Sequence, residues 1–326
     1  LYIRLSNLRK RCRKMEPLVS IITPAFNASK YLVSFFESVL DQEYSNYELI
    51  FINDGSTDDT EEIALQYKKI FEEKGHRFVY LVKENGGQAA ALNTGFPYMK
   101  GKYFIWPDSD DTLCSDNLSV KVDFMEKNPS IDLGIAWAIH VDESGNDLGV
   151  LKRIPAENDN LFRDLLVSNN VQFCPGIYII RTSTFKKCYP ELHIDESRAG
   201  QNYQLLLPMA YKYRYGYINR VLYTYILHPA SHSNFKPHDE QAQMERFERQ
   251  EHLLLRLVEH ICVQDDKVEM IALVRRHFQG IYLRIANEHI DRRKAAASMY
   301  SLCRMHQVNC KDIIYAFATF AGIKLK

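Results

Sequence analysis

The chain has no excess of either charge: 41 lysines and arginines stand against 41 aspartates and glutamates in 326 residues. That balance excludes a uniformly basic surface for nucleic acid or for an anionic membrane, so any such binding must be local. Paired cysteines are missing as well. The seven cysteines, at 12, 114, 174, 188, 262, 303 and 310, form no C-x-x-C. Their number and scatter argue against a disulfide framework or a structural zinc, and for a reducing compartment. No apolar run approaches the roughly 18 residues of a membrane span. The basic opening stretch LYIRLSNLRKRCRK, ahead of Met15, leads into no signal-like apolar core. The expected location is cytoplasmic, with peripheral contact at the inner face of the cell membrane as the variant.

What is present is the composition of a globular protein, 46% hydrophobic and 25% charged. From Pro17, short β-branched or aromatic runs alternate with amphipathic stretches. This is the pattern of an α/β fold with a mostly parallel central sheet flanked by helices. Strands are predicted over Leu18 to Thr23, Glu48 to Asn53, Arg77 to Val82 and Tyr103 to Trp106, and helices over 29–42, 58–74 and 87–99. Asp58 and Glu61, after the Gly55 turn, resemble a capping pair. Beyond Asp111 the pattern loosens into a helix over 116–127, a hairpin at 142–147 around Ser144-Gly145, and a helix near 158–168. From Asp239 onward, leucines and isoleucines at helical spacing predict a helical C-terminal region. The expected division is an N-terminal extension over 1–16, one domain over 17–235 with halves 17–111 and 112–235, and a helical region over 236–326.

In open α/β sheets ligands bind beside the carboxyl ends of strands, and the polar residues of this chain gather there. Trp106-Pro107-Asp108-Ser109-Asp110-Asp111 packs three carboxylates into four residues. In extended chain alternate side chains share a face, so Asp108 and Asp110 are expected to converge and Asp111 to point away. Such a pair suits a hard cation, Mn2+ or Mg2+, that also holds phosphate oxygens. Taken alone, the stretch also reads as an acidic turn. Asp54 closes a second strand before Gly55 and Ser56. It can accept the imide N–H of a uracil, or its loop can simply cap the next helix. In Thr23 to Asn27, Pro24 stiffens a loop, Phe26 packs against a base or belongs to the core, and Asn27 supports it. Asn85-Gly86-Gly87 turns into an alanine-rich helix bearing Asn93, where small residues admit close approach of a ligand or of the sheet.

The order TPAFN, NDGSTDDT, N-x-G-x-x-x-A-x-N-x-G, DSDD resembles the family 2 glycosyltransferases of the GT-A fold, an inverting and mostly bacterial group, over residues 17–235. The resemblance implies a UDP-sugar donor and a Rossmann-like sheet. It implies that Pro24, Phe26 and Asp54 hold the base, with Asn27 and Ser56 beside them. Asn85, Gly87 and Asn93 then line the donor pocket, Asp108 touches ribose or sugar with Ser109 next to it, and Asp110 binds the metal. Leu92 departs from the pattern, because many members carry a basic residue there.

Inversion needs a general base for the acceptor hydroxyl. Gln201 and Asn202 stand where an acidic pair is familiar, and amides cannot act as the base. The string G-Q-N-x-Q-L-L-L-P looks like a subgroup that builds bacterial surface polysaccharides or decorates surface glycoproteins. Glu196 is the expected base with Asp195 second, although both also read as caps of the following helix. Arg198, Gln201 and Asn202 are expected as acceptor or loop contacts. Ser231-His232-Ser233 resembles a loop that closes over the diphosphate, so His232, in preference to His228, is expected to complete the metal shell or donate to phosphate.

The implied function is inverting transfer of a hexose or N-acetylhexosamine from a UDP-sugar to a glycan, lipid-linked glycan or glycoprotein acceptor. The missing acidic pair keeps open a nucleotide-sugar-binding protein without catalysis. A sugar nucleotidyltransferase would bring a glycine-rich, basic phosphate loop, which Thr23 to Ser29 lacks. Tyr300 to Lys326 mixes apolar residues with Arg304, Lys311, Lys324 and Lys326. Those helices suit peripheral membrane contact or a homo-oligomer, or packing onto the main domain.

Overall fold

The computed structural model describes residues 16–228 and 239–325. The first half runs β1 (Val19–Ala25), α1 (Ser29–Leu40), β2 (Tyr47–Asn53), α2 (Thr60–Glu73), β3 (Arg77–Val82), α3 (Gln88–Gly95) and β4 (Tyr103–Ile105). β1 and β2 are buried along their whole length, as near-continuous apolar runs should be when helices cover both faces of a parallel sheet. Glu48, buried within β2, is matched by the Ser20 hydroxyl at 2.6 Å, the Lys100 backbone N–H at 2.6 Å and the Arg77 guanidinium. α3 stops at Gly95 and a short 3-10 turn follows over Phe96–Tyr98. Pro97 cannot donate to a continuing helix, which ends the predicted 87–99 helix early.

The second half contains β5 (Thr112–Leu113), α4 (Asn117–Lys127), β6 (Leu133–Asp142), β7 (Asp147–Leu151), α5 (Leu161–Leu166), β8 (Tyr178–Arg181), α6 (Thr182–Cys188), α7 (Gln201–Lys212) and β9 (Tyr215–Leu227). All strands join one sheet in the order β3-β2-β1-β4-β8-β6-β9-β5, with β7 added on β6. The first four strands are parallel. Beyond them β8 runs antiparallel to both β4 and β6, and β5 antiparallel to β9, while β6 and β9 are parallel. The uninterrupted parallel pairing expected from the alternating pattern therefore belongs to the first half, and the second half mixes the parallel β6–β9 pair with antiparallel ones. β4 and β8 meet from positions far apart in the chain, a pairing that no short-range periodicity encodes.

The capping pair expected at Asp58 and Glu61 takes another form. One Asp58 oxygen accepts from the Thr60 backbone N–H at 3.1 Å and its hydroxyl at 2.6 Å, and the other accepts from the Ser29 N–H at 3.0 Å. Asp58 thus ties the start of α2 to the start of α1.

The C-terminal region comprises α8 (Glu240–Ile261), α9 (Gln264–His289), α10 (Arg292–Arg304) and α11 (Cys310–Ala321). Leu254 and Val258 of α8 and Val274 and Phe278 of α9 share the main core with the sheet. α10 and α11 gather around a smaller core that includes Leu283, Ala295 and Leu302. No helix among the described residues is long and apolar enough to cross a membrane.

Candidate functional site

At the carboxyl edge of the sheet, three loops are stitched together through backbone amides. Asn27, at φ +50°, donates its N–H to the Ser56 hydroxyl at 3.0 Å and accepts the Thr57 N–H at 2.8 Å. Asp54, only 3% exposed, is the hub. Its Oδ1 accepts from the Gly86 N–H and Lys83 Nζ, both at 3.0 Å, and its Oδ2 from the Gly87 N–H at 2.7 Å. Asn85 completes the junction by donating to the Asp54 carbonyl at 3.0 Å. Gly55 is required here. Its φ is +75°, and a Cβ would lie 2.8 Å from the Asn85 nitrogen. Pro24 lies inside β1, opposite Ile52, and not in the loop expected for it. Phe26 is 51% exposed, so the core role open to a phenylalanine does not apply. It stands at the rim, where a flat ring can stack.

Asp108, Asp110 and Asp111 converge, and each offers an oxygen within 4.8 Å of the others. Asp111 was expected to point away. The chain turns at Ser109 and Asp110, and the alternation of extended backbone is lost there. Asp111 is 1% exposed. Its Oδ1 accepts the Ile226 N–H at 2.8 Å, while its Oδ2 has no hydrogen-bond partner among the described residues. Asp108 accepts from Gln88 Nε2 at 3.1 Å and gives its own N–H to the Tyr223 hydroxyl at 3.1 Å. Ser109 is buried beside them. Burial first, and then repulsion from Asp110, pushes the carboxyls of Asp108 and Asp111 well above the usual carboxylate range. Converging oxygens with a buried, unpartnered carboxylate oxygen among them fit a hard divalent cation such as Mn2+ or Mg2+.

His228 approaches this cluster, with its Nε2 2.8 Å from Asp110 Oδ2 and its ring stacked on Tyr31 at 4.6 Å. His232, the residue preferred from the sequence, lies outside the described residues, as does the opening stretch up to Met15. Three supports were missed altogether: Gln88, Tyr223 and Gly176. A Cβ at Gly176 would fall 1.9 Å from the Tyr223 ring, so only glycine lets that ring sit beneath Asp108. The Pro175-Gly176 dipeptide is a turn signal that could have drawn attention to the segment.

Opposite the carboxylates, the 194–200 loop is pinned by side chains. Gln204 grips Asp195 at both backbone atoms, at 2.7 and 2.8 Å. Asn93 grips Ile194 in the same way, at 2.8 and 2.9 Å, and also donates to Glu196 Oε1 at 3.1 Å. Its amide thus ties α3 to the 194–200 loop. Asp195 accepts the Ser197 N–H at 2.8 Å and pairs with Arg256 of α8 at 2.8 Å. Burial works to raise its carboxyl, but the Ser197 bonds and the Arg256 charge prevail and hold it below the usual range. A carboxylate held that way is a poor proton acceptor. Glu196 is exposed and carries no such pairing among the described residues.

The residues expected as acceptor or loop contacts are each bonded to a neighbouring segment. Arg198 donates to Asn85 Oδ1 at 2.6 Å and lies against Gly87, so it reaches across to the Asp54 junction. Gln201 donates to Gln88, which in turn donates to Asp108. Asn202 accepts the Trp106 indole N–H at 2.9 Å. The start of α7 packs directly against the end of β4, and these two amides brace that junction.

Residues 20–187 match the sequence profile of Glycosyl transferase family 2. An uncharacterized glycosyltransferase of Rickettsia prowazekii is 43% identical over 138 residues, 42% of this chain and 41% of that protein. This chain thus spans well under half the length of that relative. TuaG of Bacillus subtilis, a glycosyltransferase named for teichuronic acid biosynthesis, is 33% identical over 184 residues, 56% of this chain and 70% of its own length. Among solved structures, S. aureus TarS 1-349 in complex with UDP-GlcNAc superposes with a TM-score of 0.62 at 18% identity, covering 92% of this chain and 90% of that one. The mannosyltransferase PcManGT from Pyrobaculum calidifontis, in complex with GDP-Man and Mn2+, gives 0.58 at 15% identity, covering 94% and 80%. At these identities the likeness establishes a shared α/β fold of the GT-A type.

Proposed function

The chain belongs to glycosyltransferase family 2, and on that premise we propose that it moves a hexose or N-acetylhexosamine from a UDP-sugar to a hydroxyl of a glycan-like acceptor, with inversion. The observation that carries this reading is the convergence of Asp108, Asp110 and Asp111 around an unpartnered, buried Asp111 oxygen, directly beside the Asp54 junction. The TarS complex with UDP-GlcNAc supports a uridine nucleotide, and the PcManGT complex with Mn2+ supports the metal.

In this reading Phe26 stacks on the base and Asp54 holds the rim of its pocket, while Asp108 orients the sugar. Asp110 and Asp111, with His228 at the edge, would hold Mn2+ or Mg2+, which when bound neutralises charge on the departing diphosphate. Arg198 supplies a second positive charge against the Asn85–Gly87 loop. It takes the part that Leu92, buried in α3, cannot play. Glu196 takes the proton of the acceptor hydroxyl as its oxygen bonds to the anomeric carbon and the bond to UDP breaks. Asp195, committed to Arg256, positions the loop. We take residues 17–235 as the catalytic unit, acting at the inner face of the membrane on a bacterial surface polymer. The TuaG name supports that class of acceptor.

A second reading, nucleotide-sugar binding without turnover, is favoured by one observation: both amides that replace the acidic pair are bonded into the scaffold. Nucleotide release from UDP-glucose, UDP-galactose, their N-acetyl forms and GDP-mannose separates the readings. One UDP-sugar should be hydrolysed well above the others in Mn2+. Hydrolysis confined to GDP-mannose would overturn the uridine assignment, and UDP binding with no turnover of any donor would favour the second reading.

A further inference from the structure

Beside the 194–200 loop, α8 turns a basic stripe outward. Arg249, His252 and Arg256 recur at i, i+3 and i+7, and so share one face of the helix. With Leu255 and Ser197 they border an open surface hollow of about 450 Å³. No carboxylate is among these lining residues. Asp195 reaches the rim and engages Arg256, whereas Arg249 makes no ion pair with any described residue. The Ser197 hydroxyl is buried at the same edge, turned toward the Asp195 carboxylate. Two guanidiniums and an imidazole form a donor-rich hollow in which Asp195 balances Arg256 and nothing balances Arg249 among the described residues. Guanidinium forks match planar or tetrahedral oxyanions in geometry as well as charge. A neutral polyol would leave the Arg249 charge uncompensated.

Ser197 follows Glu196 in the chain, so whatever occupies this hollow is held next to the expected base. We propose that the hollow binds an oxyanion carried by the acceptor, a phosphate or a carboxylate, and thereby sets which acceptor hydroxyl meets Glu196. The acceptor class is then an anionic glycan or polyol chain. This rests on the reading of the 194–200 loop as the acceptor edge.

Arg249 and His252 are exposed, so replacing them leaves the core untouched. Ligand-observed NMR on the full chain saturated with UDP would compare glycerol 3-phosphate and glucuronate with neutral glycerol and glucose. An anionic probe should bind, and its affinity should fall about tenfold in Arg249→Gln/His252→Gln, the loss of one charge-assisted contact. UDP affinity should stay unchanged in that variant. Preference for glycerol 3-phosphate identifies a phosphate-bearing acceptor, and preference for glucuronate a uronate-bearing one. Equal affinity in variant and wild type, or glycerol binding as well as its phosphate, overturns the proposal. Absence of sugar transfer with Arg249-dependent binding intact would count against the reaction and not against this site.

Discussion

The two halves of the sheet hold their functional side chains by different means. Around Asp54 and Asn27, carboxylate and amide groups are fixed by backbone N–H groups of adjoining loops. Across the cleft, Glu196 is exposed on a loop held by Asn93, Gln204 and Arg256, side chains drawn from three helices. A site framed by backbone amides is rigid and does not depend on which side chains those residues carry. A site framed by distant side chains can change its substrate by changing a few residues. The difference teaches why a nucleotide pocket can stay constant while the acceptor edge varies, here with Gln201 and Asn202 turned into braces.

That contrast can be broken by mutation. The largest effect is expected for Asp110→Ala, which removes the half-buried centre of the carboxylate cluster. Transfer should fall about 1000-fold or more, as loss of preorganised charge stabilisation does. Wild-type rates of UDP release would detach the cluster from the reaction. Next, Glu196→Gln should lower kcat by about 100-fold or more, the scale of a lost general base. Asp195→Asn should cost less than about tenfold, because its role is to position the loop. The opposite ranking in steady-state assays would move the base to Asp195.

Gly176→Ala forces a methyl against the Tyr223 ring. A loss of about 1–3 kcal/mol in urea unfolding is expected from such overpacking. Cation affinity should fall with it, since Tyr223 supports Asp108. Unchanged stability and affinity would show that the ring does not set the turn.

The smallest effect concerns pH. Asp108 and Asp111 titrate above their unfolded values, so their stabilising contribution is present at low pH and fades as pH rises beyond the ordinary carboxylate range. A cation takes the place of those protons. The gain in melting temperature on adding Mn2+ should therefore grow with pH, and a gain independent of pH would contradict the coupling.

What the sequence revealed follows the same division. Strands β1 to β4 and the gathering of Asp54, Asp108 and Asp110 at their carboxyl edge were legible, because each lies in a short motif at the end of an apolar run, but not that the Asp54 carboxylate is taken up by Gly86, Gly87 and Lys83. Asp111 was misread because its turn breaks the strand alternation. Gly176 and Tyr223 escaped because their partnership spans elements with no sequence proximity. The particular partners of Arg198 and Asn93, Asn85 and Ile194, were not legible, since nothing local says which loop a side chain will reach. The antiparallel placement of β8 between β4 and β6 is a long-range pairing of the same kind.

The most direct test is a calorimetric titration of UDP into the full chain, once with Mn2+ and once with EDTA. Cation-dependent binding is expected, weaker by about tenfold or more in EDTA, with Asp110→Ala behaving in Mn2+ as the wild type does in EDTA. Equal UDP affinity in all three titrations would contradict a cation-assisted donor site at Asp108, Asp110 and Asp111.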